Sequence, residues 1–184
     1  PSVQTRLGTY ATTKINRSYG TDIRIEKAGL RFNGDVALKN IHIKDHHQAN
    51  LISVVELNTS IISFSNIIHN RLTFGAIDLF GLNFNIKKYK GEIDSNLDIF
   101  VNKFEKEQPP TNQNDFPLAS VKDSGNNFQL SSSNVRVHTS DFLYIDENLN
   151  NPLVLDLHQL NLEASDFLIL GKNITTSITS LSFE

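Results

Sequence analysis

The sequence predicts a mainly β protein that begins with an amphipathic helix. Apolar residues alternate with polar ones in many short stretches, of which Leu82–Lys87 is the clearest. Gly, Asn and Asp separate these stretches, and helical spacing of apolar residues occurs at only two places. Because successive side chains of a strand point to opposite sides, each alternating stretch indicates a strand with one apolar face and one wet face.

Residues 1–20 have the spacing of an amphipathic helix. Their apolar residues recur at steps of three and four and form one stripe: Val3, Leu7, Tyr10, Ala11, Ile15 and Tyr19. Gly20 stands where a helix commonly ends in a left-handed glycine. The segment carries Arg6, Lys14 and Arg17 and no acid, which suits an anionic membrane surface close to the bilayer. A solvated helix face explains these charges equally well.

Strand-like stretches fill most of the remaining chain. They are Asp22–Lys27, Gly29–Phe32, Val36–Lys44, Leu51–Phe64, Leu72–Phe80, Leu82–Lys90, Phe128–Leu130, Asn134–Thr139, Asp141–Asp146, Pro152–Ala164 and Phe167–Phe183. Asn33-Gly34 predicts a hairpin, because both residues tolerate positive φ. At Gly81 the apolar alternation changes phase, which predicts a turn or a bulge.

A second helix is predicted over 97–104, where Leu97, Phe100, Val101 and Phe104 share one side. The composition then changes, and 105–127 is predicted to be a flexible insertion with Pro109-Pro110. The expected organisation is therefore a helix over 1–20, a first β section over 21–104, the insertion, and a second β section over 128–184. The strand pattern still continues at Glu184, so we expect a segment of a longer protein that is truncated at this end.

The chain offers little that indicates catalysis. Cysteine is absent, which excludes disulfides, thiolate metal sites and thiol nucleophiles. No nucleophile elbow, phosphate-binding loop or zinc-protease motif is present. Asp45-His46-His47 is the one histidine cluster that suggests a metal, but no third ligand is evident, so solvated loop histidines are expected. The net charge of −3 gives no footprint for nucleic acid. We expect no enzyme, no metal and no cofactor.

The apolar faces of the strands leave two structures open. Such a face is usually the inner wall of a sandwich and packs against a second sheet. It becomes a lipid surface only if the sheet curls and its concave side stays unfilled. Periodicity does not separate these alternatives.

The order of the segments resembles TamB-like proteins of the AsmA superfamily, in the version found in Bacteroidota. The start at 2–7, the helix end at 18–21 and the strand at 23–25 resemble the segment after that family's membrane anchor. Five later segments are similar in order and spacing: the strand pair over 36–45, the glycine-punctuated hairpin over 74–86, the helix over 97–104, the strand over 141–146 and the ladder over 155–183.

The resemblance implies a fold and a function. The fold would be a curled antiparallel β-sheet that forms a taco-like groove. The protein would be anchored in the inner membrane of a Gram-negative bacterium by a helix absent from this sequence, and would extend through the periplasm. Its groove would carry phospholipids toward the outer membrane, with an outer-membrane barrel of the Omp85 class as a further partner. The alternative is a scaffold for outer-membrane protein assembly that touches no lipid.

The resemblance and the alternation together predict which residues face the acyl chains. This lipid-facing set is Val55, Leu57, Ile61, Ile77, Leu79, Leu82, Phe84, Ile86, Leu155, Leu157, Leu160, Leu162, Ile174 and Ile178. The membrane-proximal basic residues are Arg6, Lys14 and Arg17.

Overall fold

The computed structural model describes residues 12–31, 34–61, 71–104, 129–170 and 173–184. This part of the chain contains two short helices and seven strands. The helices are α1 (12–19) and α2 (Asn96–Asn102). The strands are β1 (Asp22–Leu30), β2 (Asp35–Lys44), β3 (Asn50–Ile61), β4 (Arg71–Lys88), β5 (Gln129–Asp146), β6 (Leu153–Leu170) and β7 (Asn173–Ser182). The prediction of a mainly β protein is confirmed.

The seven strands form one sheet, in which each strand lies beside its neighbour in sequence. Five of the six neighbouring pairs are antiparallel, but β4 and β5 are parallel, from Arg71 opposite Gln129 to Lys88 opposite Asp146. The expectation of a purely antiparallel sheet is therefore wrong. The connection over 89–128 contains α2 and is long enough for the crossover that a parallel pair requires.

Several predicted short strands are continuous long ones. Leu72–Phe80 and Leu82–Lys90 belong to the single 18-residue strand β4, and Gly81 between them has a φ of +59°. Leu79 and Leu82, three positions apart, both pack against the buried cluster around Ile77. Simple alternation would place them on opposite faces, so the strand changes phase at Gly81. The pairing with β3 and β5 keeps its register on both sides of Gly81, so this position is neither a hairpin turn nor a bulge with an extra residue.

Three other strands also have a residue with positive φ at the same level of the sheet. These residues are Asn40 in β2, Thr139 in β5 and Gln159 in β6. Side chains satisfy backbone groups at this level, since the Leu82 amide donates to Ser140 Oγ at 3.0 Å and the Thr139 amide donates to Asn161 Oδ1 at 3.1 Å. Because the strands change phase together at this level, apolar residues stay on one side of the sheet on both sides of it.

We expect Gly81→Ala to destabilise the fold by about 1–2 kcal/mol, because an L residue is strained at positive φ. A Cβ at Gly81 would also lie 2.8 Å from Val55 Cγ2. Gly29→Ala is the matched control, since its Cβ would meet nothing closer than a carbonyl oxygen at 4.0 Å. Urea unfolding measures both variants, and equal stability of the two would contradict the role of Gly81.

The two helices meet at their carboxyl ends. Gly20 ends α1 with a φ of +63°, as predicted, and its amide donates to the Asn16 carbonyl at 2.8 Å. Tyr19 packs on Phe104 with ring centroids 4.8 Å apart, and Lys103 Nζ donates to the Gly20 carbonyl at 2.8 Å. Residues 1–11, and with them most of the predicted amphipathic stripe, lie outside the described residues.

The predicted second helix is confirmed, with slightly different ends. It begins after Ser95, whose hydroxyl accepts from the Asp98 amide while the Asp98 carboxylate accepts from the Ser95 amide, a capping box. The predicted insertion over 105–127 lies outside the described residues. Among the residues that the structure describes, neither helix is long and apolar enough to span a bilayer.

Candidate functional site

Apolar side chains form rows that run across the strands. Residues that pair directly between neighbouring strands share a face of the sheet. One row crosses all seven strands, two rows cross six strands, and one row crosses four. We call the side that carries them the apolar face. The rows are Ala28-Leu38-Leu57-Leu79-Val137-Leu162-Leu181, Ile23-Ile43-Ile52-Phe84-Phe142-Leu157, Val36-Thr59-Ile77-Val135-Ala164-Ile178 and Ile25-Ile41-Val54-Leu82.

In the two rows that reach β7, the residue on β7 is far more exposed than the residues on the central strands. Val137 is 4% exposed, whereas Leu181 in the same row is 50% exposed. Ile77 is 7% exposed, and Ile178 in its row is 60% exposed. The central strands thus form a small core. At the β7 edge the same face is still apolar, but its side chains are exposed.

The structure brings most of the predicted lipid-facing residues together. Ile77 lies in the buried cluster with Val135 and Val137, and five others of the set pack around it: Leu57, Leu79, Leu82, Leu160 and Leu162. Phe84 and Leu157 both pair with Phe142, and Ile86 and Leu155 both pair with Tyr144. Ile174 and Ile178 lie on β7, at the exposed edge.

Two members of the set stand apart. Val55 is 61% exposed and is not among the residues packed on the central cluster. Val54 occupies the expected place, because it pairs with both Ile41 and Leu82. The extrapolated alternation had the wrong phase there, since it did not allow for the change of phase that β3 shares with its neighbours at this level. The side chain of Ile61 lies outside the described residues.

Several residues of the apolar face were missed from the sequence. They are Ile41, Ile43, Ile52, Val54, Val135, Val137, Phe142 and Phe167. The alternating pairs Ile41–Ile43 and Val135–Val137 carried the signal that could have found them. Phe142 contacts Phe84 edge-on, with ring centroids 5.8 Å apart.

The opposite face of the sheet is charged. Glu56 pairs with Lys39 Nζ at 3.1 Å and with Arg31 at 3.2 Å, and these contacts lower the pKa of its carboxyl. Asp78 pairs with Arg136 at 2.7 Å. Phe80 follows Leu79 in β4 and therefore points to the opposite face, where its ring stacks on that of His138 with centroids 4.6 Å apart. The two-faced sheet that the sequence predicts is therefore present.

A cavity of about 250 Å³ lies between α2 and β7. Leu97, Asp98, Val101 and Asn102 line it from the helix, and Ile174 lines it from the strand. The predicted apolar side of α2 therefore contributes Leu97 and Val101 to a space beside the exposed edge of the apolar face.

The predicted basic residues are only partly placed. Lys14 and Arg17 are exposed on α1, and Arg6 lies outside the described residues.

A separate polar centre lies at the end of the sheet, around Asp45 after β2. Asp45 is 3% exposed, and its carboxylate accepts four hydrogen bonds. Two come from the amides of His47 and Ala49, both at 2.9 Å. The other two come from the Tyr89 hydroxyl at 2.7 Å and Asn96 Nδ2 at 3.1 Å.

These bonds determine the ionisation of the centre. Burial alone would raise the pKa of Asp45, but the four donors outweigh it and hold the pKa below its ordinary value. Burial, followed by the bond to Asp45, raises the pKa of Tyr89. Asp45 is thus a buried carboxylate that ties the β2–β3 turn to the loop before α2.

His46 and His47, in that turn, both reach the carboxylate of Glu92. His46 Nε2 lies 3.0 Å from Oε2, and His47 Nε2 lies 2.7 Å from Oε1. The bond from His47 is the largest cause of the lowered pKa of Glu92. Glu92 could not be recognised as their partner from the sequence, because 45 positions separate it from His47.

Two comparisons with known proteins were negative. A scan against protein-family models and a search of curated proteins found no match to this chain.

Proposed function

We propose that this chain carries phospholipids along the apolar face of its sheet, as a segment of an inner-membrane-anchored periplasmic protein that serves outer-membrane biogenesis. The observation that supports this most is the row from Ala28 to Leu181, which is apolar on every one of the seven strands. A path across the strands lets an acyl chain move from one strand to the next without leaving an apolar surface.

The energetics suit transport better than tight binding. Each CH₂ kept from water contributes about 0.8 kcal/mol. Successive positions of a row offer similar side chains, so an acyl chain that leaves Phe84 meets Phe142 and then Leu157 at comparable free energy. We propose that the sheet curls into the taco-like groove that the family resemblance implies. The cavity shared by α2 and Ile174 supports this, because it places apolar side chains opposite each other at the open edge.

The alternative remains a scaffold for outer-membrane protein assembly that binds no lipid. A filled sandwich needs a second sheet against the apolar face. All strands in the described part of the chain belong to one sheet, and Ile174, Ile178 and Leu181 are each at least half exposed. These observations favour the lipid surface.

The membrane contacts are part of the same proposal. Lys14 and Arg17, exposed on α1, would lie toward the anionic surface of the inner membrane. The resemblance to TamB-like proteins supplies the remaining partner, an outer-membrane barrel of the Omp85 class. The proposed role is transfer and not catalysis, and it needs no cofactor.

Photo-crosslinking tests the proposal at single positions. The photoreactive residue p-benzoylphenylalanine is placed at Phe84 or Phe142 on the apolar face, and at Phe80 on the charged face as the matched control. Phe80 is 39% exposed, so it is accessible to any lipid that binds without regard to face. After irradiation with vesicles of phosphatidylethanolamine and phosphatidylglycerol, mass spectrometry of the protein measures the lipid adducts.

We expect adducts at positions 84 and 142 and at least about fivefold fewer at position 80. Equal labelling on both faces, or no adduct at 84 and 142, would contradict the proposal and favour the scaffold.

A further inference from the structure

We infer that His46, His47 and Glu92 form a binding site for a late first-row transition-metal ion such as Zn²⁺ or Ni²⁺. Two imidazole nitrogens and a carboxylate oxygen are the ligands that such ions take in proteins. Their ligand atoms all lie within 4.8 Å of one another. The site is independent of the apolar face and of the proposed lipid transport.

The distances from Glu92 to the two imidazoles are close to those around a bound ion. Bonds of about 2.0–2.1 Å in a tetrahedral arrangement put neighbouring ligand atoms about 3.3 Å apart. The Glu92 oxygens now lie 3.0 Å from His46 Nε2 and 2.7 Å from His47 Nε2. An ion therefore requires the carboxylate to retreat by a few tenths of an ångström and the two imidazole nitrogens, which lie within 4.8 Å of each other, to approach one another.

Neighbouring groups hold the three ligands in place before any ion binds. The Asp45 carboxylate accepts from the His47 amide and from Tyr89, so it fixes the histidine turn against the loop that carries Glu92. Asn148, in the β5–β6 turn, donates to the carbonyls of Tyr89 and Glu92, both at 3.1 Å, and accepts from the Gly91 amide at 2.8 Å. Such supporting contacts cut the cost of ordering a site.

The tautomer of His46 has to change when an ion binds. Its Nδ1 atom is buried and has no hydrogen-bond partner among the residues that the structure describes. Without an ion, Nε2 must carry the proton that it donates to Glu92. For Nε2 to bind an ion, this proton must move to Nδ1. His47 is 48% exposed at its side chain, so an ion has a path from solvent.

Isothermal titration calorimetry of untagged, metal-free protein with Zn²⁺, Ni²⁺ and Mg²⁺ tests the site. We expect one Zn²⁺ or Ni²⁺ per chain and no binding of Mg²⁺, which prefers oxygen ligands. His47→Ala and Glu92→Gln should each weaken Zn²⁺ binding at least tenfold. His42→Ala is the control, since His42 is an exposed histidine on β2 outside the site and should bind as the unchanged protein does.

Cobalt gives a second readout that does not depend on affinity alone. Co²⁺ at the site should show visible absorption of a low-coordinate complex, and Glu92→Gln should change or abolish that spectrum. Circular dichroism establishes that each variant is folded. Binding of Zn²⁺ that persists unchanged in folded His47→Ala and Glu92→Gln, or its absence from the unchanged protein, would overturn the inference.

Discussion

Replacing Phe84 or Leu157 with Asp or Arg is expected to reduce phospholipid transfer between vesicles at least tenfold. Both residues pair with Phe142 and are half-buried in one row of the apolar face. A charge placed against acyl chains costs about 2.5–3.5 kcal/mol on the scale for insertion into a bilayer. Since about 1.4 kcal/mol corresponds to a factor of ten, one charge in the row should suffice to block passage. Transfer of a dye-labelled phospholipid from donor to acceptor vesicles measures the effect.

Two further variants separate transport from folding. Ile178 is 60% exposed and Leu181 is 50% exposed, so Asp at either position should leave the melting temperature nearly unchanged and still slow transfer. Leu149→Asp is the control, because Leu149 is 52% exposed in the β5–β6 turn and lies outside the rows. Unimpaired transfer by a folded Phe84→Asp, Leu157→Asp double variant would rule out the groove.

Asp45→Asn is expected to lower the free energy of unfolding by about 2–4 kcal/mol. The buried carboxylate accepts four hydrogen bonds, and an amide would turn its NH₂ group toward the donors of Tyr89 and Asn96 or of the His47 and Ala49 amides. Leaving buried donors without an acceptor costs about 1–3 kcal/mol each, and bonds to a charged acceptor are the stronger ones. Urea unfolding followed by circular dichroism measures the loss.

Asp94→Asn is the matched control for this prediction. Asp94 lies in the same loop between β4 and α2 and is exposed, so its substitution should change stability by less than about 0.5 kcal/mol. If Asp45→Asn were as mild as the control, Asp45 would not be the tie between the β2–β3 turn and that loop.

The sequence predicted the strands and most of one face because alternation is a local property. Leu82, Phe84 and Ile86 follow from spacing alone, since a strand with this pattern buries one side wherever its partners lie. The helix end at Gly20 and the capped helix near 97–104 were predictable for the same reason. Each depends on residues within one or two turns.

The sequence did not determine whether Gly81 marks a turn or a change of phase within one continuous strand. Both change the phase of alternation, and the choice depends on whether the segment after Gly81 folds back or continues beside β3. The error at Val55 has the same origin. The parallel pairing of β4 and β5 is also non-local, because it depends on how residues 89–128 return the chain to the start of β4.

The polar centre was the least predictable part. Asp45-His46-His47 was visible as a cluster, but its third potential ligand comes from the loop after β4 and is held there by Asn148, 56 positions further along the chain. Pairing of strands brings these three loops to one end of the sheet, and no local pattern records that.

Native mass spectrometry of the purified chain is the most direct test of the proposal that the apolar face binds lipid. The chain is expressed in a Gram-negative host, purified in parallel with the Phe84→Asp, Leu157→Asp double variant, and transferred to the gas phase without detergent. We predict that phospholipid stays bound to the unchanged chain after exposure to vesicles and is lost from the folded variant. Equal lipid occupancy of the two proteins, or none in either, would contradict the account.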